Sequence, residues 1–131
     1  MQPRLDVVVG IVRDATERIL INQRPSGTYL EGFWEFPGGK RRAGEDRETA
    51  LKRELDEELG IEVVVAKPLL ALRHDYLDRL VHLDVWSVLE YLGKPRARES
   101  QGIAWVQPEE MSDINFLPAD TPIIAALLER S

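Results

Sequence analysis

Cysteine is absent from the 131-residue sequence, and methionine and histidine occur only twice each. The missing thiols exclude disulfides, thiolate metal sites and cysteine nucleophiles. No run of about 18 apolar residues occurs, so no membrane span is expected. The opening Met1-Gln2-Pro3-Arg4-Leu5-Asp6 has neither the basic start nor the apolar stretch of a signal peptide, and a cytoplasmic location is expected. A broad basic surface is also wanting. The formal net charge is -6, which argues against a protein whose main task is to grip duplex nucleic acid. A small anionic substrate remains compatible, because a divalent metal reverses the sign of a local acidic site. His74 and His82, eight residues apart within expected strands, offer no metal-ligand spacing.

What is present is ordinary for one soluble domain over 1–131: 44% hydrophobic and 31% charged side chains, with no repeat, low-complexity tract or long linker. Leu5 to Arg13 predicts a buried strand rich in β-branched residues, and Arg18 to Gln23 a second. The polar stretch Asp14 to Glu17 between them predicts a hairpin. Arg24 to Gly32 reads as a loop. Phe33 to Phe36 is a short strand stopped by Pro37-Gly38-Gly39. Glu48 to Leu59 predicts a helix, with Leu51, Leu55 and Leu59 at every fourth position and Gly60 as its C-terminal cap. Strands are expected over Ile61 to Leu72, Leu80 to Leu92 and Gly102 to Val106, a helical turn over Pro108 to Asp113, and a closing helix over Pro122 to Arg130. Strands mixed with two helices imply an α+β or α/β/α layered domain.

Chemistry concentrates on the first helix. Glu54, Glu57 and Glu58 stand at i, i+3 and i+4, which puts three carboxylates within an arc of roughly 100°. The leucine stripe occupies the adjoining arc, so Glu58 borders the buried side. Such clustering destabilises a helix by about 0.2–0.5 kcal/mol per like-charged pair, and a hard divalent cation that takes oxygen ligands turns the repulsion into attraction. Taken alone, three glutamates are more often a solvated face, and Arg53 beside them an ordinary surface ion pair. The wider spacing changes that balance. Gly39 is followed after five residues by Glu45, and after seven more by Arg53-Glu54-Leu55-Asp56-Glu57-Glu58-Leu59-Gly60-Ile61. Seven fixed residues at about 6–7% usage each match by chance on the order of 10⁻⁸ per starting point.

This stretch satisfies every position of G-x5-E-x7-R-E-U-x-E-E-x-G-U, with U a bulky aliphatic, and so resembles the Nudix hydrolase family. The resemblance implies the Nudix fold, a mixed β-sheet sandwiched between helices. It implies Mg²⁺ as cofactor, with Mn²⁺ as a substitute, bound by Glu54, Glu57 and Glu58, the Gly38 carbonyl and Glu99. Arg53 would orient a glutamate and Glu45 would tie the loop to the helix. The implied reaction is attack by water on a phosphorus of a nucleoside diphosphate derivative, with Glu54 as general base and Glu99 as its rival.

The flanks narrow the resemblance. Gly32-Phe33-Trp34-Glu35-Phe36-Pro37-Gly38-Gly39-Lys40 and Phe116-Leu117-Pro118-Ala119-Asp120-Thr121-Pro122 are similar to segments of MutT-type enzymes, the 8-oxo-dGTP diphosphatases that remove oxidised guanine nucleotides from the precursor pool. By that likeness Arg24, Tyr29, Glu35, Phe36, Pro37, Gly38, Asp78, Arg79 and Asp120 contact the nucleotide. Trp34 and Phe36 as core aromatics, and Arg24, Arg79 and the Lys40-Arg41-Arg42 run as solvated charges, are the plain alternatives. The subfamily often has asparagine where Asp120 stands. Oxidised guanine presents the acceptor O6 beside the donor N7–H, and an ionised aspartate only accepts, so altered selectivity is expected.

CTP, ADP-ribose and dinucleoside polyphosphates are rival substrates, the last suggested by Tyr76. A Nudix-fold module that binds nucleotide or protein without catalysis is a rival of another class. Such a module is expected to have lost box carboxylates, and none is missing here. The expected partner is the nucleotide, with no stable nucleic-acid or membrane contact, in a monomer or homodimer.

Overall fold

The computed structural model describes residues 4–99 and 101–129. In chain order it comprises β1 (Arg4–Val12), β2 (Ile19–Gln23), β3 (Trp34–Glu35), β4 (Gly38–Lys40), α1 (Arg47–Leu59), β5 (Glu62–Asp75), β6 (Leu80–Leu92), β7 (Gly102–Val106) and α2 (Thr121–Glu129). Two 3₁₀ turns, Pro108–Asp113 and Pro118–Asp120, precede α2. Arg130, expected to end α2, lies outside the described residues, as does the start of the N-terminal segment that was read for a signal peptide.

A four-stranded mixed sheet runs β4-β1-β6-β5, and a three-stranded sheet runs β3-β2-β7. β1 is parallel to β6 and antiparallel to β4, while β5 and β6 form a long antiparallel hairpin with register shifts near Val65 and Pro68. The expected hairpin of β1 with β2 does not form. After a single bridge, Arg13 to Ile19, the two strands part into different sheets. The physical reason is burial on both sides of β1: long-range neighbours on each edge outcompete the local one. Pro37-Gly38-Gly39 also does more than stop a strand, because Gly38–Lys40 is itself the edge strand β4.

Alternation along β1 divides the core. Val8 and Val12 face α1, where Leu51, Leu55 and Leu59 meet Trp86 and Val88. Val9 and Ile11 face the other way, toward Val85, Met111, Ile123 and Leu127. The four-stranded sheet is thus a layer between α1 and α2. The three α1 leucines are fully buried, each contributing about 1.5–3 kcal/mol of transfer free energy. That seating fixes which arc of α1 remains for the glutamates. Asp46 caps the start of α1 by accepting from the Thr49 N–H, and Gly60 ends it at φ 70°. Among the described residues no helix is long and apolar enough to cross a membrane.

Candidate active site

Arg53 ties the acidic helix to the preceding loop. Its Nε and Nη2 hold both oxygens of Glu45, at 2.7 and 2.8 Å. Its Nη1 reaches Glu54 at 2.8 Å and Glu57 at 3.3 Å, and its Nη2 also donates to the Lys40 carbonyl at 3.0 Å. One guanidinium therefore fixes two helix carboxylates, the loop and the end of β4. Glu45 accepts from the Arg42 N–H as well. The Arg53 hydrogen bonds, then that of Arg42, hold the Glu45 carboxyl down to about 2, and Glu45 in turn raises the Arg53 guanidinium above its usual range. A Cβ at Gly39 would have to displace the Glu54 carboxylate that Arg53 holds.

The C-terminal end of α1 is closed by a segment far away in sequence. The Arg96 N–H donates to the Leu59 carbonyl, the Arg98 N–H to that of Glu58, and the Arg98 guanidinium to that of Asp56. Gln101, nearly buried, donates to the Glu58 carbonyl at 2.9 Å and accepts from the Glu99 N–H at 2.8 Å. These bonds satisfy the orphan carbonyls of the helix end. They also carry Glu99 to the side of Glu58.

A cleft of about 510 Å³ opens on the opposite side of β1 from the α1 leucines, walled by Arg24, Glu35, Phe36, Gly38, Glu58, Arg79, Glu99 and Asp120 among others. Glu58 is 9% exposed. Burial, then the charges of Glu35 and Glu99, push its carboxyl up to about 9, against the pull of the Gly38 N–H. Glu35 is raised by burial and pulled back by Arg24, whose Nη1 lies 3.2 Å away. At the far end Asp120 is 5% exposed and accepts from the Phe36 N–H at 3.3 Å. Burial, then the charge of Glu35, raise its carboxyl to about 7. Phe36 packs on Phe116 with ring centroids 5.3 Å apart and also lines the cleft, so it is both a core and a cleft aromatic.

The donors suit a hard divalent ion. Glu35 and Glu99 raise the cost of ionising Glu58 on one wall, and a cation bound there would remove that cost. Among the described residues no three acidic or imidazole side chains already converge on one point. The fit is one of charge and ligand type.

The structure brings most of the sequence-derived candidates together. Gly38, Glu58 and Glu99 share the cleft wall, and Glu54 abuts it through Gly39. Glu57 lies on the outer side with Arg53 and Arg42, its side chain 44% exposed. Pro37 is buried, its carbonyl bonded to the Gly10 N–H. Tyr29 and Asp78 are not on the cleft wall: the Tyr29 side chain is exposed, although its carbonyl takes the Arg24 Nε at 2.6 Å, and Asp78 sits at the exposed tip of the β5–β6 hairpin. His74 and His82 stand one register step apart on the β5–β6 hairpin and so on opposite faces, with His74 against Tyr76. Sequence reasoning missed Asn22 and Gln101, two buried amides. A lone amide, in a strand as Asn22 or just before one as Gln101, carries no pattern that separates it from a surface residue.

A family model described as the NUDIX domain matches residues 8–126. The chain is 38% identical over 125 residues to the CTP pyrophosphohydrolase of Escherichia coli K12, covering 95% of this chain and 91% of that protein. It is 35% identical over 124 residues to the 8-oxo-dGTP diphosphatase of the same organism, covering 95% and 96%. A solved MutT structure from Aliivibrio salmonicida or Vibrio cholerae superposes with a TM-score of 0.84 at 34% identity, over 98% of this chain and 99% of that one. The fold is accordingly the α+β Nudix fold, and the chain belongs to the Nudix hydrolase family.

Proposed function

We propose that this chain, a single Nudix domain over 1–131, hydrolyses a nucleoside triphosphate to the monophosphate and pyrophosphate, with 8-oxo-dGTP as substrate and Mg²⁺ as cofactor. In this reading it sanitises the cytoplasmic nucleotide pool as a monomer or homodimer. The observation that carries it is one cleft with two differently built ends. Glu58, Glu99 and Gly38 lie at one, and Asp120 on the Phe36 N–H at the other. Glu54, Glu57, Glu58, Glu99 and the Gly38 carbonyl would hold the metal, Mn²⁺ serving as a substitute. When bound, it polarises the anhydride and spreads charge on the leaving pyrophosphate. Water adds to phosphorus, the anhydride bond breaks, and a carboxylate takes the proton. Glu54, immobilised by Arg53, is assigned that role, with Glu99 as its rival; pH–rate profiles of Glu54→Gln and Glu99→Gln separate them. Arg24, Glu35, Phe36 and Arg79 are assigned to nucleotide contact, whereas Tyr29 and Asp78, off the cleft wall, and the buried Pro37 are not.

Asp120 supports the choice of base. A carboxyl that titrates near 7 is partly protonated at neutral pH, and the protonated form donates to O6 while its other oxygen accepts from N7–H. A second reading has its own support. Ionised Asp120 accepts from the exocyclic amine of cytosine, and a relative 38% identical is a CTP pyrophosphohydrolase. Pyrophosphate release from 8-oxo-dGTP, dGTP and CTP, and nucleoside monophosphate release from ADP-ribose and a dinucleoside polyphosphate, at pH 6 and pH 8, test both. The 8-oxo-dGTP to CTP ratio is expected to fall as pH rises through 7, and Asp120→Asn to flatten that change. CTP preferred at both pH values overturns the oxidised-guanine assignment. No Mg²⁺-dependent hydrolysis of any nucleotide overturns the reaction, and hydrolysis in ¹⁸O-water locates the phosphorus attacked.

A further inference from the structure

Asn22, on β2, has 2% of its surface exposed, and neither Oδ1 nor Nδ2 has a hydrogen-bond partner among the described residues. Buried side-chain amides are almost always paired, and an unpaired donor and acceptor together weaken the free protein. The residue is part of the cleft wall, so the unused valences lie buried beside the space a ligand enters.

Its place along that cleft follows from register. Asn22 stands directly opposite Glu35 in the antiparallel β2–β3 pair, and directly opposed residues share one face with Cβ atoms about 5 Å apart. Glu35 in turn acts electrostatically on Glu58 at one end of the cleft and on Asp120 at the other. The Asn22–Glu35 pair therefore lies between the catalytic carboxylates and the base end. A nucleotide with phosphates beside Glu58 and base beside Asp120 lays its pentose across that midpoint.

The chemistry of the amide narrows the match. A phosphate oxygen only accepts, which would leave Oδ1 unpaired. A hydroxyl donates and accepts, and satisfies both atoms at once. We infer that Asn22 reads the sugar: its amide exchanges hydrogen bonds with a pentose hydroxyl, 2′ or 3′, making residue 22 a determinant of preference for nucleotides that carry that hydroxyl. This rests on the nucleotide reading above. The competing occupant is an ordered water, which also donates and accepts.

The test uses the full chain with Asn22→Ala and Asn22→Leu, the second nearly preserving side-chain volume. Steady-state kinetics are measured on CTP, 2′-deoxy-CTP and 3′-deoxy-CTP and on the matching guanosine series. Calorimetric binding of the corresponding monophosphates and thermal midpoints complete the set. For wild type, loss of the hydroxyl that is read should cost about three- to tenfold, mainly in KM and monophosphate affinity. Both variants should be indifferent to that loss, and Asn22→Leu should melt above wild type. Equal effects of either variant on every sugar overturn the inference and leave the pyrophosphohydrolase reading standing. A lower midpoint for Asn22→Leu shows the amide already satisfied in the free protein, as by bound water, and also overturns it. If no triphosphate is hydrolysed while the monophosphates still show the sugar-dependent difference, the reaction fails and the role of Asn22 stands. Absence of both hydrolysis and binding overturns both.

Discussion

Glu45 and Glu58 belong to the same motif, yet their carboxyls move in opposite directions. Arg53 holds Glu45 down to about 2, whereas burial and the charges of Glu35 and Glu99 push Glu58 up to about 9. Around Arg53, each acidic group has its cation supplied by the chain itself. Among the described residues of the cleft wall, Glu35 alone of the acids forms an ion pair, with Arg24. Glu45 is fully paired in the free protein, while the cleft wall around Glu58 holds a charge imbalance that a divalent ion would relieve. A preformed scaffold beside an incomplete site is what binding energy directed at the reaction requires.

The largest effect expected from breaking this contrast is on catalysis. Glu57→Gln removes a carboxylate from the proposed metal set and is expected to lower pyrophosphate release by about 10²–10³-fold. Activity equal to wild type would remove Glu57 from the metal site. Arg53→Ala, which frees Glu45, Glu54 and Glu57 together, is expected to cost about 10–100-fold, as loss of groups that orient ligands generally does. Arg53→Lys should recover little, because one ammonium cannot grip both Glu45 oxygens and Glu54. Titrating activity against Mg²⁺ for each variant shows whether apparent metal affinity falls with rate.

A smaller effect is on folding, with opposite signs in the two regions. Between pH 2 and 4.5 the unfolded chain binds the Glu45 proton and the native one does not, so Glu45 adds stability as pH rises through that window. Between 4.5 and 9 the metal-free native protein keeps the Glu58 proton that the unfolded chain has lost, so Glu58 removes stability as pH rises. Denaturant midpoints of metal-free protein across pH should show the loss above 4.5, and Glu58→Gln should flatten it. Wild type and Glu58→Gln with parallel profiles would refute the assignment. Smallest is Gln101→Ala, which removes the acceptor of the Glu99 N–H and one of the two donors to the Glu58 carbonyl. It should lower stability by about 1–3 kcal/mol in urea melts and lower activity through the displaced Glu99.

The scaffold was more legible in the sequence than the site's interior. The leucine stripe, Gly60 and the box spacing predicted α1 to within a residue of its start and to its last residue, because local periodicity and capping decide a helix. Strands β6 and β7 were equally plain. The β1–β2 hairpin was misread because alternation reports burial and not partnership. β1 pairs with β6 across most of the chain. Strand β4 was missed because glycine and proline read as breakers, although the bare backbone of Gly39 is what lets Glu54 approach. The motif implied the Arg53–Glu45 tie, and no motif covered Asn22 or Gln101. Their importance comes from what the fold places opposite them.

The parallel pairing of β1 with β6 has a consequence for how the protein reaches this state. Arg4 lies beside Leu80 and Val12 beside Val88, so the central strand of the sheet finds its neighbour only across most of the polypeptide. The β5–β6 hairpin closes locally and is expected to form early. β1 then docks at the entropic cost of a long loop, and β4, which pairs only with β1 in its sheet, follows. Arg53 meets the Lys40 carbonyl at the end of β4, so the grip on Glu54 and Glu57 completes in the last steps of folding. Kinetically, Glu54 and Glu57 are expected to become ordered after the sheet, and the proposed metal set to assemble only once β6 has joined β1.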